Sequence, residues 1–483
     1  LTIEGPTGTT ASFAGSIVGS GGLTKLGAST QTLTGASTYT GATTIGGGIL
    51  NLDFSPAGGP ASGIVGSGST LNMAGGRLNI IGAAGESNIQ TFNGLNITAG
   101  NNIIDAQSGI GGSLTVNLGA ITRTGGLMNF NLPTGGNITT TNTSLGGWAT
   151  VNGTDYAKVV GGNILAFVEA DYTDKDNAAD WLDNEFITDV TGFFGTVTGT
   201  KQLGGLRYTQ PVSTTVTVSP GETLGVDGTI IVAPTVLATN QLITGGMMTG
   251  ANGGVLGVQQ NSSGNFTIAS RIVDNGPGMG FTKAGTGLVT LSNTGNSYTG
   301  ATRVVQGTLA VTSIGNGGAA SSIGASSADP SNLVLEASTL RYTGAGDTSD
   351  RGFTFAKSGA ITGSGVEVTN AGANLAFGVL VTSSHGANFT KTGAGTLTLA
   401  NDTNDFTGIV TVSGGLLAAD TLADGGLVSG IGRASSASAN LVLAGGGLQY
   451  TGGTASTNRG FTLGVGNGTG DVANGAPSLT VRG

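Results

Sequence analysis

The stretch of sequence that decides the fold covers residues 389–399 and reads Phe-Thr-Lys-Thr-Gly-Ala-Gly-Thr-Leu-Thr-Leu. Leucine alternates with threonine at its end, and a period of two is typical of a strand that buries one face. The two glycines fall between the runs, where the chain is expected to turn. Val410-Thr411-Val412 and Gly414-Gly415-Leu416-Leu417 continue the same pattern. The stretch therefore predicts short β-strands joined by tight corners.

Similar stretches occur at two earlier places in the chain. One begins at Thr282-Lys283 and leads to Tyr298-Thr299-Gly300, and the other begins at Thr24-Lys25 and leads to Tyr39-Thr40-Gly41. A unit that repeats and is too small to bury its own apolar face implies that successive units stack. The repeats therefore predict a solenoid.

Beyond about residue 275 the chain is a tandem duplication with a constant offset of 108 residues. The offset relates Lys283 to Lys391, Ile323 to Ile431, Leu333 to Leu441, Tyr342 to Tyr450, Arg351 to Arg459 and Phe353 to Phe461. A coil of about 20–25 residues would place roughly five coils in each copy. Coils about 4.8 Å apart would then build a rod of about twenty coils, roughly 100 Å long.

The expected fold is an all-β parallel β-helix. Apolar side chains would fill its interior, threonine and serine would line its outer faces, and glycine and asparagine would occupy its corners. An array of β-sandwiches is the main alternative, because repeats of about 100 residues also suit domains of that kind. Sandwich strands would be longer, whereas the runs in this chain are short and interrupted by glycine. The short runs favour the β-helix.

The chain divides into five expected segments. These are a β-helix over residues 1–145, an insertion over 146–210, a β-helix over 211–274, a first cassette over 275–382 and a second, incomplete cassette over 383–483. Residues 146–210 contain both tryptophans of the chain and a cluster of acids between Glu169 and Asp189. Such a change of composition within a repeat array predicts a loop or small subdomain that projects from the stack.

The bulk composition argues against several functions. Of 483 residues 93 are glycine, only 9% are charged and the formal net charge is −9, so clustered lysine and arginine for nucleic-acid binding are not expected. The sequence contains no cysteine, which excludes disulfides, thiolate catalysis and cysteine-ligated metals. Since no apolar run is long enough for a transmembrane helix, no membrane insertion is expected. The chain starts without Met and stops within an alternating run, so we expect a fragment whose targeting segment and anchor lie elsewhere.

Residues 390–399 resemble the autotransporter-associated β-strand repeat of bacterial type V secreted proteins. The pattern is Thr-Lys-x-Gly-x-Gly-Thr-Leu-x-Leu followed by Asn-x-Tyr-Thr-Gly, and these residues match its first half fully. Phe406 stands where the tyrosine of the second half belongs. Residues 282–300 match closely, and residues 24–41 match with Ser29 in place of the second glycine.

This resemblance implies a right-handed parallel β-helix that is exported to the bacterial surface through a C-terminal β-barrel outside this chain. Apart from residues 146–210, the composition of the chain is similar to that of passenger domains in such proteins. The repeat carries no catalytic residues in the family, so none is transferred to this sequence.

Candidate chemical groups are few. His385 is the only histidine and stands in Ser-Ser-His-Gly, which favours an exposed turn over a catalytic base. Asp174, Asp176 and Asp180 are candidate Ca²⁺ ligands, but the segment lacks the glycine of an EF-hand loop. Gly464–Val472 resembles one nonapeptide Ca²⁺ repeat. We therefore predict no catalytic residue and no cofactor, with Ca²⁺ as the alternative.

The aromatic and acidic residues of the expected insertion are the candidates for a contact surface. Exposed rings would form a platform for sugars or for a protein partner, whereas buried rings would be the small core of the insertion. The acids have a solvated loop as their alternative. The residues predicted for a partner or ligand surface are Trp148, Tyr156, Asp174, Asp176, Asp180 and Trp181.

Taken together, the sequence predicts a non-enzymatic bacterial surface protein that acts as a rigid stalk, an adhesin or a fibre-forming element. Its expected partner is a surface glycan or protein, or a second copy that associates through threonine- and asparagine-lined faces or exposed end coils. A polysaccharide lyase or hydrolase on the same fold is the alternative, and it would need convergent carboxylates. A phage tailspike, which would be trimeric, is a further alternative.

Overall fold

The computed structural model describes residues 1–5, 10–27, 29–252, 254–276, 278–356, 363–383, 386–466, 469–472 and 479–481. This part of the chain consists of short β-strands and five 3-10 helices, without an α-helix. The 3-10 helices are Glu169–Asp171, Ala178–Asp180, Pro234–Val236, Pro330–Asn332 and Ser438–Asn440. No helix among the described residues is long and apolar enough to cross a membrane.

The first stack of coils is formed by residues 1–166 and contains two sheets. Sheet 1 has the strands Thr2–Ile3, Leu23–Lys25, Thr43–Ile45, Leu71–Met73, Leu95–Ile97 and Ile121–Arg123. Sheet 2 has, in spatial order, the strands Thr10–Phe13, Thr30–Leu33, Ile49–Asp53, Arg77–Ile81, Asn101–Gln107, Leu127–Asn131, Ala149–Val151, Asp155–Val160, Asn163–Ala166, Gly136–Thr139, Ser113–Asn117 and Ser87–Thr91. The order of sheet 2 shows that it climbs one side of the stack and descends another.

A β-hairpin closes the end of the first stack. Its strands Asp155–Val160 and Asn163–Ala166 are antiparallel to each other and to their neighbours Ala149–Val151 and Gly136–Thr139. The other strand pairs in the described part of the chain are parallel, as in a β-helix. Because an antiparallel hairpin covers the strands of the last coil, no further parallel coil stacks there.

The second stack begins at residue 173 and contains four sheets. Sheet 3 has the strands Thr173–Asp174, Phe186–Thr188, Gly205–Tyr208, Thr229–Val232, Val255–Gln260, Gly280–Ala284, Thr302–Val304, Leu333–Glu336, Phe353–Ala356 and Val381–Ser383. Sheet 4 has the strands Thr196–Val197, Thr214–Val226, Gln241–Thr249, Asn265–Ile268, Leu288–Leu291, Gly307–Val311, Ser338–Tyr342, Gly363–Val368, Asn388–Thr392, Val410–Val412, Leu441–Leu443 and Thr462–Leu463, with Lys201–Leu203 and Arg271–Ile272 at its side. Sheet 5 has Asp347–Ser349, Asn374–Phe377, Thr396–Leu399, Leu416–Ala419, Gly447–Tyr450 and Thr469–Val472, and sheet 6 has Ala455–Thr457 and Leu479–Val481. The predicted parallel β-helix is confirmed.

Along each stack, residues of the same kind occupy partner positions on successive coils. In sheet 4, Val289, Leu309, Leu340 and Val366 are partners on successive coils, and all four side chains are fully buried. Burying each such side chain contributes about 1.5–3 kcal/mol. Stacked aliphatic columns of this kind explain why the alternating Leu-Thr pattern specifies the fold.

The duplicated cassette does not contain a whole number of coils. In sheet 3, Lys283, Val304, Leu335, Phe355 and Ser383 form one column, which makes four coils. The equivalent residue Lys391 lies one strand further along the chain, in sheet 4. The expectation of about five coils in each copy is therefore corrected: each copy spans four coils and one additional strand, which shifts the next copy from sheet 3 to sheet 4. Coils in this region take 20 to 31 residues, since some carry long loops.

The two stacks lie side by side and run in opposite directions. Near the hairpin, the Thr229 amide donates to the Gly147 carbonyl at 3.0 Å. One coil further from the hairpin, the Leu127 side chain packs against Gly257. Further still, the Glu336 carboxylate lies beside Gly75. The expected single rod of about twenty coils is therefore replaced by two shorter stacks joined by a reversal of the chain.

The inserted loop or small subdomain expected at residues 146–210 is not confirmed. Residues 149–166 belong to the end of the first stack, and the strands between residues 173 and 208 are the first coils of the second stack. The unusual composition reflects packing between the stacks around Tyr156 and in the interior of the second stack around Trp181. The strand Thr229–Val232 is buried on both faces, so aromatic side chains from this segment fill a space that solvent occupies beside an ordinary coil.

Candidate functional site

The lysine of each repeat is a buried structural clamp. Lys25, Lys283 and Lys391 have no exposed surface. The Lys391 Nζ donates to the carbonyls of Thr392, Gly393 and Gly414, at 2.7, 3.0 and 3.0 Å. Lys25 donates to three carbonyls in the same way, and so does Lys283. Each ammonium thus ties its own corner to the corner of the next coil.

Burial and hydrogen bonding shift the pKa of these lysines in opposite directions. Burial lowers the pKa of Lys283 to about 7 and those of Lys25 and Lys391 to about 8. Three carbonyl acceptors stabilise the ammonium form and satisfy its donors. Gly393 adopts a φ of 76°, which turns its carbonyl toward the lysine and favours glycine at this corner. The lysines therefore hold the scaffold and are not accessible to a substrate.

Arg351 and Arg459 play a similar part in the two long loops at 312–332 and 420–440. The Arg351 guanidinium is buried and donates to the carbonyls of Gly315, Asn316, Ala319 and Gly324 and to the Ser326 hydroxyl. Arg459 donates to three carbonyls of the second loop. Because a planar guanidinium reaches several acceptors at once, one side chain fixes each loop.

Tyr156 and Trp181, two of the residues predicted for a contact surface, are buried. The Tyr156 hydroxyl donates to the Thr229 carbonyl and accepts from the Leu206 amide at 2.8 Å, so it connects the two stacks. The Trp181 Nε1 donates to the Lys175 carbonyl at 3.0 Å, and its ring packs edge-on against Phe193. Neither ring is available to a ligand. Their burial corrects the expectation of a shared aromatic platform.

Trp148 and the predicted aspartates lie closer to the surface but do not form one site. Trp148 is partly buried, and the Arg123 guanidinium lies 5.6 Å from the centre of its ring. Asp174 and Asp180 are exposed, whereas Asp176 accepts bonds from the backbone amides of residues 190 and 191. Among the described residues, no group of three acids or histidines could hold a metal ion. A role for Trp148, Asp174 or Asp180 in binding stays a prediction.

Most other acids of this region have local partners. Glu185 pairs with Lys175 at 2.7 Å, and Asp171 pairs with Lys158. The Asp189 carboxylate caps the turn at Thr209, although burial raises its pKa. His385 and part of the Gly464–Val472 stretch lie outside the described residues. These acids thus form ion pairs and hydrogen bonds around the first coils of the second stack.

The outward side chains of the first stack form continuous polar ladders. On sheet 1, a column of asparagines and threonines follows the stack axis, and we call it the ladder surface: Thr24, Thr44, Asn72, Asn96 and Thr122. The Asn96 amide donates to the Asn72 carbonyl oxygen at 2.9 Å, and Asn72 donates to the Thr44 hydroxyl at 3.3 Å. The Thr122 hydroxyl donates to Asn96 at 2.5 Å.

Further ladders lie on the sides formed by sheet 2. Asn79 donates to Asn51 at 3.0 Å, and Asn51 donates to Thr32 at 3.1 Å. On the descending side, Thr139 donates to Asn117 at 2.8 Å. Side chains that bond to the next coil are held in place, so they offer fixed donors and acceptors at the coil spacing of about 4.8 Å. Faces lined by threonine and asparagine were expected from the sequence, whereas the hydrogen bonds between their side chains on successive coils were not.

The ladder surface is chemically neutral and partly exposed. It contains amides and hydroxyls without carboxylates or ammonium groups. Such a surface can form hydrogen bonds with sugars, with a protein backbone or with another ladder, and it contains no carboxylate or histidine for acid–base chemistry. The arrangement suits contact over a long, flat area.

Comparison with known proteins agrees with this architecture. Residues 23–52, 281–311 and 389–419 match the family model of the passenger-associated-transport-repeat. The chain is also 54% identical over 489 residues to a protein named "Adhesin BmaC autotransporter" from Brucella suis biovar 1 (strain 1330). That alignment covers 100% of this chain and 14% of the relative. These matches support an autotransporter passenger region with transport repeats.

The predicted resemblance to autotransporter repeats is therefore confirmed. Each matched stretch of the passenger region contains one buried lysine clamp: Lys25, Lys283 and Lys391. The repeat thus consists of two pairs of strands on successive coils, and its lysine joins the corners of the two pairs. No solved structure matches this passenger region.

Proposed function

We propose that this passenger region is a non-enzymatic part of a bacterial surface adhesin, anchored to the cell through a segment outside this chain. The observation that carries the proposal is the alignment of the whole chain with an autotransporter that is named an adhesin. The buried lysines and arginines are consistent with a scaffold, because their polar groups are used within the fold.

In this proposal, attachment depends on the stiffness of the two stacks and on the regular spacing of their polar side chains. Two stacks packed side by side resist bending better than one, since any bend must stretch hydrogen bonds in both. The ladder surface and its neighbours then present fixed neutral groups to a glycan or protein on another cell. Many weak contacts at regular spacing add up when they engage together.

Attachment of the purified chain to cells tests the proposal. We expect fluorescently labelled chain to bind saturably to cultured animal cells or to bacteria, and heat-unfolded chain to lose that binding. Acidic and neutral polysaccharides incubated with the chain should show no new reducing ends. Absence of saturable binding to any cell type would contradict the adhesin proposal, and new reducing ends would support the lyase or hydrolase alternative.

The proposal also includes a second kind of partner, namely another copy of this chain. Mass photometry should show whether the chain of 46.9 kDa stays single or pairs through its ladders. Filaments or pairs seen by electron microscopy would support contact between copies, and strictly single particles at high concentration would contradict it. A stable trimer would instead support the tailspike alternative.

A further inference from the structure

A groove of about 550 Å³ opens on the first stack. Three consecutive coils line it, through residues 37–40, 62–68 and 89–91. Its volume lies in the range of about 300–1,000 Å³ that is typical of small-ligand sites. The chain between residues 54 and 70 forms no strand apart from a single bridge of Ser62 to Ile89, and part of this segment lines the groove.

Free hydroxyl groups surround the groove. Thr38, Thr40, Ser62 and Ser67 are exposed, and within the described part of the chain their side-chain hydroxyls have no hydrogen-bond partner. The side chain of Ile89 is 44% exposed and offers an apolar patch beside them. The groove lining contains no charged residue.

The wall of the groove is held in place from inside the stack. The buried Gln90 side chain accepts from the Val65 amide at 3.2 Å and donates to the Val65 carbonyl at 2.9 Å. The Gly63 amide donates to the Ile89 carbonyl at 3.0 Å. A site that is already ordered loses less entropy when it binds a ligand.

We propose that this groove binds a short neutral oligosaccharide. A sugar presents many hydroxyls that can both donate and accept, which suits four unpaired hydroxyls on two adjacent coils. The C–H face of a sugar ring would pack on Ile89, and the absence of charge in the lining leaves an acidic sugar without a counter-ion. This inference rests on the proposed adhesin function and names the ligand class of one site.

Binding of defined oligosaccharides to the whole chain tests the inference. Isothermal titration or a glycan microarray would compare neutral oligosaccharides with sialylated and uronic-acid-containing ones. We expect saturable binding of at least one neutral glycan, and about a tenfold loss of affinity in Ser67→Glu and Thr40→Glu. Thr215→Glu is the matched control, because Thr215 is an exposed outward threonine of the second stack.

The outcomes separate this inference from the proposed function. If the groove variants bind neutral glycans as tightly as the unchanged chain, or if only acidic glycans bind, the inference is wrong. If the chain attaches to cells but binds no neutral glycan, the inference fails and the adhesin proposal stands. If it neither attaches nor binds glycans, both fail. Thermal unfolding of each variant distinguishes a loss of affinity from a loss of folding.

Discussion

Lys283 and Lys391 hold equivalent positions in the duplicated cassette but lie on adjacent faces of the second stack. Lys283 stacks on Val304 in sheet 3, whereas Lys391 stacks on Val412 in sheet 4. The second copy is therefore turned by one face relative to the first. As a result, the arginine-held loops at 312–332 and 420–440 leave the stack at different edges. A duplicated sequence thus presents its surface in two directions.

Disulfide trapping tests this rotation, because the chain has no cysteine of its own. Gly365 and Thr390 are register partners on sheet 4, and the spacing of neighbouring strands, about 4.8 Å, lies within disulfide range. We expect Gly365→Cys/Thr390→Cys to crosslink on oxidation. The control pair Thr354→Cys/Thr390→Cys joins sheets 3 and 4 and should stay reduced. Crosslinking of the control alone would mean that the two copies lie in line.

Removing one lysine clamp should weaken the second stack. Lys391→Met keeps the length and apolar part of the side chain but leaves the carbonyls of Thr392, Gly393 and Gly414 without their donor. Unpaired buried acceptors cost about 1–3 kcal/mol, so the urea midpoint should fall. Thr398→Met, on an outer face, is the control and should change it little. An unchanged midpoint in Lys391→Met would show that the ammonium is dispensable.

The Tyr156 hydroxyl makes one of the hydrogen bonds between the stacks. Tyr156→Phe removes the acceptor of the Leu206 amide, and we expect hydrogen–deuterium exchange at that amide to become faster. Tyr208→Phe is the matched control. Its hydroxyl is also buried but has no hydrogen-bond partner in the described part of the chain, so removing it should be neutral or stabilising. Equal exchange rates at Leu206 in Tyr156→Phe and the unchanged chain would contradict this role.

Glu336 makes the contact between the stacks sensitive to pH. Burial raises the pKa of its carboxyl to about 7, although Arg303 lies 3.7 Å away and opposes the shift. The folded state therefore binds a proton more tightly than the unfolded state, in which the pKa is near the ordinary 4.5. This contribution to stability is complete below about pH 4.5 and is lost as the pH rises through about 7.

The expected result is a free energy of unfolding that decreases between about pH 4.5 and pH 7. Glu336→Gln, which stays neutral, should remove this part of the pH dependence. Denaturation by urea at several pH values measures it. If the free energy of unfolding depends on pH equally in Glu336→Gln and in the unchanged chain, the carboxyl does not titrate as its burial implies.

The sequence contained enough information to predict the coils. Alternation of leucine and threonine fixes which side chains face inward, and the glycines on either side of Ala394 allow the corner that Lys391 closes. The scaffold role of Lys391 was also predictable from its recurrence. These features are local, since they arise from neighbouring residues and the next coil.

The reversal of the chain could not be predicted in this way. Tyr156 contacts Thr229 and Ile231, which lie about seventy residues further on, and no periodicity relates them. An aromatic cluster that packs between stacks has the same composition as the core of an inserted subdomain, so the sequence favoured the wrong explanation. The one-face rotation was hidden for another reason, namely that coils of 20 to 31 residues give no fixed period.

The most direct test of the central claim compares two polar ladders in one attachment assay. Asn72→Ala/Asn96→Ala breaks the ladder surface of the first stack, and Asn265→Ala/Thr290→Ala breaks a similar pair, joined at 3.0 Å, on the second. We expect the first double variant to lose at least about tenfold in affinity for cells and the second to bind like the unchanged chain. Equal binding of both variants and the unchanged chain would contradict attachment through the ladder surface.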